Sequence, residues 1–164
     1  MKQTHCNHAP AMDALIIFAK KNSMLPEAMK KFIKKHHVMT LSVGDAEGVW
    51  SAHCFYAYDS SLNAFVFTSD ENTSHVKMFR SGRVVALSIA LETRIIGKIQ
   101  GIQMTGNVYK PIDLEYEKCK KLYLKRFPYA IVMKTTFWIF LPDYAKMTDN
   151  AFGFGKKLIW TGND

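Results

Sequence analysis

The chain has 164 residues, of which 48% are apolar and 13% aromatic; this excludes a disordered chain and fits one domain large enough to bury its own core. The net charge of +8 draws heavily on Lys20, Lys21, Lys30, Lys31, Lys34 and Lys35. Lysines at that spacing form either the solvated face of a helix or a patch that attracts anions.

No recognition motif of the usual nucleic-acid classes accompanies them, so nucleic acid is not an expected partner. Cysteines occur only at 6, 54 and 119, an odd number at spacings that suggest neither a disulfide framework nor a zinc site. His5-Cys6-Asn7-His8 contains metal-ligand types, but no second cluster nearby completes a set of four, and it reads as a frayed end. The apolar run Leu15–Ala19 is too short to cross a membrane and precedes no cleavage pattern. The expected setting is the cytoplasm, with no membrane partner.

In chain order, residues 1–23 carry no motif and read as an appendage with a possible short helix near 10–20, and Met24 is a plausible second start. Residues 24–164 read as one domain. Leu25, Met29, Phe32 and Ile33 form an apolar stripe at helical spacing behind Pro26, which predicts a helix ending near His36. Val38–Val43 reads as a strand, 44–48 as a hairpin loop and Val49–Tyr58 as a second strand. In that strand Trp50, Ala52, Cys54, Tyr56 and Tyr58 share one face, and Ser51, His53, Phe55 and Ala57 the other. Ala64–Ser69 is a third strand, followed by a loop and a short helix to Arg80. Val84–Leu91 and about 97–109 are further strands. Asp113 is expected to cap a helix running to Phe127, where Pro128 stops it. Phe137–Leu141 and Lys157–Thr161 complete a set of six or seven strands. Short connections with helices at the edges suggest a closed antiparallel barrel, a mainly β, α+β fold, because closure removes exposed strand edges.

Near the C-terminus, "TDNAFGFGKKLIW" raises the question of a phosphate loop. That motif needs Gly at 150 and Ser or Thr at 157, where Asn150 and Lys157 stand. The stretch reads instead as a bend at Gly153 and Gly155 before the last strand, with Leu158 and Trp160 on one face.

Two stretches carry candidate chemistry. In "FVFTSDENTSHVK" a strand ends in Thr68 and Ser69, and a helix opens with Thr73, Ser74 and His75, with Lys77 one turn on. Hydroxyls, backbone amides and charged donors at that place suit a phosphate. The other reading leaves Thr73 as an N-cap and Lys77 as a solvated lysine. In "GKIQGIQMTGNV", Gly101, Gln103 and Thr105 share a face opposite Ile102, Met104, Gly106 and Val108. A strand glycine marks close approach by a ligand or by another backbone, and the Gln103 amide could read the edge of a flat heterocycle. The alternative is an ordinary exposed polar face.

"VWSAHCFYAYD", "AFVFTS", "TSHVKMF", "RVVALSIA" and "GKIQGIQMTGNV", in this order, resemble the FMN-binding split-barrel superfamily typified by pyridoxamine 5'-phosphate oxidase. "GIQMTGNV", "KRFP" and "TDNAFGFGKKLIW" resemble more narrowly the YhbP group. The resemblance covers roughly residues 25–162. It implies a six- to seven-stranded split barrel, a homodimer, and FMN bound at the interface. It also implies a small-molecule redox substrate, so the expected activity is that of an FMN-dependent oxidoreductase. Carried over residue by residue, Thr68 and Ser69 lie beside the phosphate, and Thr73, Ser74 and His75 stand where the oxidases have Ser-Arg-Lys. Lys77 is then the compensating cation. Ser51, Ala52 and His53 run along the isoalloxazine ring, and Gln103 approaches the flavin. Trp160 echoes part of a C-terminal substrate pattern whose arginine is missing, so pyridoxamine phosphate oxidation does not carry over. His75 and Lys77 are expected to point out of the core. Trp50, Tyr56, Tyr58, Phe152, Phe154 and Trp160 are expected to supply aromatic surface to a dimer. The alternatives are a haem-binding or haem-degrading protein, with His53 or His75 as iron ligand, and a non-catalytic flavin carrier.

Overall fold

The computed structural model describes residues 23–46, 48–80, 83–132, 134–150 and 157–162. The expectations for residues 1–22, for the Gly153/Gly155 bend and for Phe152 and Phe154 lie outside these.

Seven strands form one antiparallel sheet in the order β3-β2-β1-β4-β5-β6-β7. They are β1 (Val38–Asp45), β2 (Gly48–Asp59), β3 (Ala64–Ser69), β4 (Val85–Ala90), β5 (Gln100–Tyr109), β6 (Thr136–Asp149) and β7 (Lys157–Thr161). The first part of β6 also pairs with β3, from Phe65↔Phe140 to Ser69↔Thr136. That pairing closes six strands into a barrel and leaves β7 on the far half of β6. The fold is the split barrel that the sequence predicts.

Three helices flank it: α1 (Glu27–Lys35), α2 (Ser74–Phe79) and α3 (Asp113–Arg126). In α1 the predicted stripe, Met29, Phe32 and Ile33, is buried, while Lys31, Lys34 and Lys35 remain exposed. The carbonyls of Lys34 and His36 at its C-terminal end accept from the Arg126 guanidinium of α3. A cation there complements the helix dipole.

Apolar residues collect in two layers. The barrel interior holds Leu41, Tyr56, Phe65, Phe67, Phe79, Ile102, Phe140 and Trp160 among others. A second layer lies between α3 and the sheet, where Cys119 and Tyr123 meet Val66, Phe137, Ile139 and Leu141. The run "FWIFL" is apolar throughout because β6 is buried on both faces there.

Several predicted details differ. The β1–β2 hairpin is tighter than a five-residue loop, since Asp45 pairs with Gly48 and its carboxylate accepts from the Gly48 N–H at 3.1 Å. A 3-10 turn, Ile96–Lys98, occupies what was read as the start of β5. Asp113 is the first residue of α3 and not its cap, and the helix has no side-chain cap. Most consequentially, β6 continues past Leu141 to Asp149. Pro142 has no N–H to give, yet it does not end the strand. It sits opposite Gly106 at an irregularity between Thr105 and Gly106, where proline is tolerated. Gly106 answers the strand-glycine question in favour of a neighbouring backbone, because a Cβ there would stand 2.1 Å from the Leu141 carbonyl oxygen. Finally, Tyr56, Tyr58 and Trp160 are buried within the single chain, and only Trp50 of the described aromatic set is exposed. Three of the four described aromatic residues expected at a dimer surface therefore belong to the core of one chain.

Candidate functional site

The predicted site residues fall mainly in three places. Ser69 ends β3, and its Oγ lies 2.7 Å from His75 Nε2 and 3.3 Å from Thr73 Oγ1. Thr73 occupies the N-cap position of α2, yet its hydroxyl donates back to the Asp70 carbonyl at 2.8 Å and does not cap the helix. Trp138 Nε1 donates to the Ser69 carbonyl at 3.1 Å. His75 is buried, against the expectation that it points out of the core, and burial pushes its pKa below 6.5. A neutral, inward histidine is not the cationic clamp the resemblance implies. Thr68, one residue before Ser69, faces the opposite side of the strand, with its hydroxyl 3.4 Å from Tyr123 OH of α3.

Ser74 and Lys77 lie elsewhere. With Trp50, Met78 and the tip of the β1–β2 hairpin, they line an open cleft of about 440 Å³. Trp50 offers a ring and Lys77 an ammonium; Asp45 adds one carboxylate to the same cleft.

The third place is the bare outer face of the sheet. Ser51, His53 and Gln103 belong to two cross-strand rows. One runs His53, Thr40, Ser88, Gln103, Lys146, Ile159, each paired with the next. The other runs Ser51, Ser42, Ala86, Thr105, Tyr144, Thr161. Ser42 Oγ and Ser51 Oγ are 2.8 Å apart, and His53 Nδ1 is 3.0 Å from Thr40 Oγ1. A shallow hollow of about 200 Å³ on this face is lined by Ser42, Ser88, Gln103, Thr105, Tyr144 and Lys146 among others. The two rows hold hydroxyls, an amide, an imidazole and an ammonium, and no carboxylate. Such a donor set fits the heterocyclic edge of a flavin or another electron-rich planar group.

Ala52 and Trp160 do not join these rows. Ala52 lies on the opposite side of β2 from Ser51 and His53. Trp160 packs in the barrel core, and its Nε1 has no hydrogen-bond partner among the described residues. Sequence reading missed Thr40, Ser42 and Ser88, which period-two alternation in β1 and β4 would have flagged. It missed Tyr144 and Lys146 because it ended β6 at Leu141. The two described thiols are buried, which pushes Cys54 up to about 11 and Cys119 up to about 12 and disfavours the nucleophilic thiolate. Among the described residues there is no cluster of three metal-ligating side chains, and no helix is long and apolar enough to cross a membrane.

The fold is that of a split barrel with a polar outer face, and comparison with known proteins places it further. The chain is 38% identical over 134 residues to a UPF0306 protein of Cronobacter sakazakii, covering 82% of this chain and 93% of that one. It is 33% identical over 133 residues to the UPF0306 protein YhbP of Escherichia coli O157:H7, covering 81% and 90%. The chain belongs to the UPF0306 (YhbP) family. No family model matches it. Among solved structures it resembles a haem-binding protein from Mycobacterium smegmatis, with a TM-score of 0.67 at 16% identity. That alignment covers 85% of this chain and 60% of the other, longer one. It also resembles an FAD-binding protein from the same organism, with a TM-score of 0.62 at 12% identity over 77% of this chain and 96% of that one. A third is a Clostridium acetobutylicum protein of the pyridoxinephosphate oxidase family, related to general stress protein 26 of B. subtilis. Its TM-score is 0.60 at 11% identity, over 82% of this chain and 92% of that one.

Proposed function

We propose that this protein is a homodimeric FMN-binding protein that serves as an oxidoreductase, with the flavin ring against the polar rows and the phosphate at the α2 cleft. The observation that carries the reading is the pair of mainly polar rows crossing six strands of a split barrel, broken only by Ala86 and Ile159, free of carboxylates and left bare by the three described helices. Gln103 and Lys146 would meet the heterocyclic edge of the ring, and Ser51 and His53 would lie along it. Ser74 and Lys77 would hold the phosphate; the buried His75 does not line that cleft.

The proposed dimer is supported by placement. Trp50, which lines the cleft, and Ser51, which begins a polar row, point to opposite faces of β2. One flavin reaching both in a single chain would have to pass round the hairpin. Across a two-fold axis the ring and the phosphate can rest on different copies, and the bare sheet face is covered at the same time.

FMN would supply the electron chemistry, accepting reducing equivalents from a small reduced substrate, and the protein would supply binding, orientation and electrostatics. His53 would place the one imidazole of the rows near the ring. A haem reading has one observation of its own. His53 is exposed and engages Thr40 through Nδ1, which leaves Nε2 as the nitrogen to meet an iron.

The absorption spectrum of freshly purified protein, repeated after incubation with FMN or haemin, tests both. Flavin bands in protein retained by gel filtration support the proposal. A Soret band lost in His53→Ala supports the haem reading, and uptake of neither group sinks both.

A further inference from the structure

The basic helix α1 has no part in the site just described, and it borders an unusual surface. Directly after α3, the chain makes a 3-10 turn, Pro128–Val132, in which Tyr129, Ile131 and Val132 are 91%, 72% and 84% exposed. The turn leaves from Phe127, whose ring lies edge-on to Phe55 at 5.4 Å. Phe55 is itself exposed and pairs across the strands with exposed Val38. The result is an apolar surface that stands proud of the protein. Cations flank it. Arg126 bonds the carbonyls of Lys34 and His36, which brings the C-terminal ends of α1 and α3 together. Lys34, Lys35 and Lys125 are exposed there. The acidic residues of α3, Asp113, Glu115 and Glu117, lie at its other end.

Exposed apolar patches mark interaction sites, and the cation flank selects the partner. Two copies of this chain meeting through the patch across a two-fold axis would bring the same lysines face to face, which costs free energy. A nucleic acid would want stacking platforms, whereas Ile131 and Val132 have no ring to stack. Side chains that project this far would need a matching pocket on a protein partner. The disordered, anionic interface of a bilayer needs none, and it satisfies both halves of the patch: apolar depth for the turn and phosphates for the lysines.

We infer that this surface docks the protein peripherally on anionic phospholipid membranes. The inference departs from the sequence-based expectation of no membrane partner, which rested on the absence of a spanning segment, and it is independent of the flavin reading.

The test is co-sedimentation of the full chain with vesicles of phosphatidylcholine alone or mixed with phosphatidylglycerol. Binding should require phosphatidylglycerol and weaken with salt. Replacing Tyr129, Ile131 and Val132 together by serine should lower it by at least about tenfold. Lys34→Gln and Lys35→Gln should each lower it by about fivefold. All these side chains are exposed, so melting temperatures should hold. Three outcomes would overturn the inference: no dependence on phosphatidylglycerol; binding unchanged in the triple variant; or loss of the dimer in the triple variant, which would make the patch a contact between copies. A single-stranded oligonucleotide that binds more tightly than the vesicles and is released by the lysine variants would reassign the surface to nucleic acid.

Discussion

The two outer faces of this barrel share one strand, β6, and are treated in opposite ways. Over β3 and the first half of β6, α3 lies down and buries Val66, Phe137, Ile139 and Leu141. Over β1, β4, β5 and the second half of β6, no described helix lies down, and the outward residues include Ser42, Ser88, Gln103, Thr105 and Lys146. β6 belongs to both faces. Its pattern changes from continuous apolar to alternating within one strand, and the change falls at Pro142. The chain covers for itself the face whose exposure would be costly, and it leaves uncovered the face whose side chains can bind something else. The comparison can be broken by substitutions that treat the two faces, and the seam between them, alike.

The largest effect is expected at the seam. Gly106→Ala places a methyl 2.1 Å from the Leu141 carbonyl oxygen and 2.9 Å from the Phe140 ring, so the backbone of β6 must move. A loss of at least about 3 kcal/mol is expected in urea unfolding. A loss below about 1 kcal/mol would show that the two halves of β6 are not locked together there.

Next is the covered face. Ile139→Ala removes a buried side chain from the layer under α3 and should cost about 2–4 kcal/mol. Equal tolerance of Ile139→Ala and of a substitution on the bare face would abolish the distinction.

The cleft beside the bare face gives a ligand-linked effect. Lys77→Ala should weaken FMN by roughly fivefold to a hundredfold while riboflavin, which lacks the phosphate, changes little. Fluorescence titration of both flavins measures this, and equal losses would move the phosphate elsewhere. Lys77 is the residue to test by itself, because His75 is buried and its removal would disturb the packing around Phe79.

His75 makes a separate prediction through pH. Its folded-state pKa lies below the ordinary 6.5, so the unfolded chain binds the proton more readily. The stability its neutral form contributes is therefore complete above pH 6.5 and falls as the pH drops from there through the lowered folded value. Thermal melts from pH 8 down to about 5 should show that fall. His75→Gln should flatten it; an unchanged slope would assign the pH dependence to other groups.

The fold was legible in the sequence because alternation in β1, β2 and β5, the α1 stripe and the closing strand Lys157–Thr161 all state their period within a few residues. What failed did so for local physical reasons. The run past Leu141 was not read as strand because the partner of Pro142, Gly106, is 36 positions away, and a bulge is invisible in one strand alone. His75 looked exposed because helix position alone does not tell which way a one-turn helix faces. Thr68 and Ser69 were grouped as neighbours in sequence, although adjacent strand residues face opposite ways. The site was legible one strand at a time, as Ser51 and His53 or as Gln103. Its continuity was not, because a row across six strands exists only once register is known.

The smallest change in stability is expected on that row. Ser88→Ala and Gln103→Ala alter side chains on an open face with no buried partner to strand, so each should move stability by no more than about 0.5 kcal/mol. If the face exists for a ligand and a second copy, the cost must appear in binding instead. Riboflavin affinity should fall in Gln103→Ala even though the phosphate site is untouched, which is the reverse of the Lys77→Ala pattern. Sedimentation should still report a species of about twice the 18.7 kDa chain mass, because one amide is a small part of a two-fold interface. Riboflavin binding unaffected by both substitutions would leave the rows as a solvated surface, and the bare face would then need no partner.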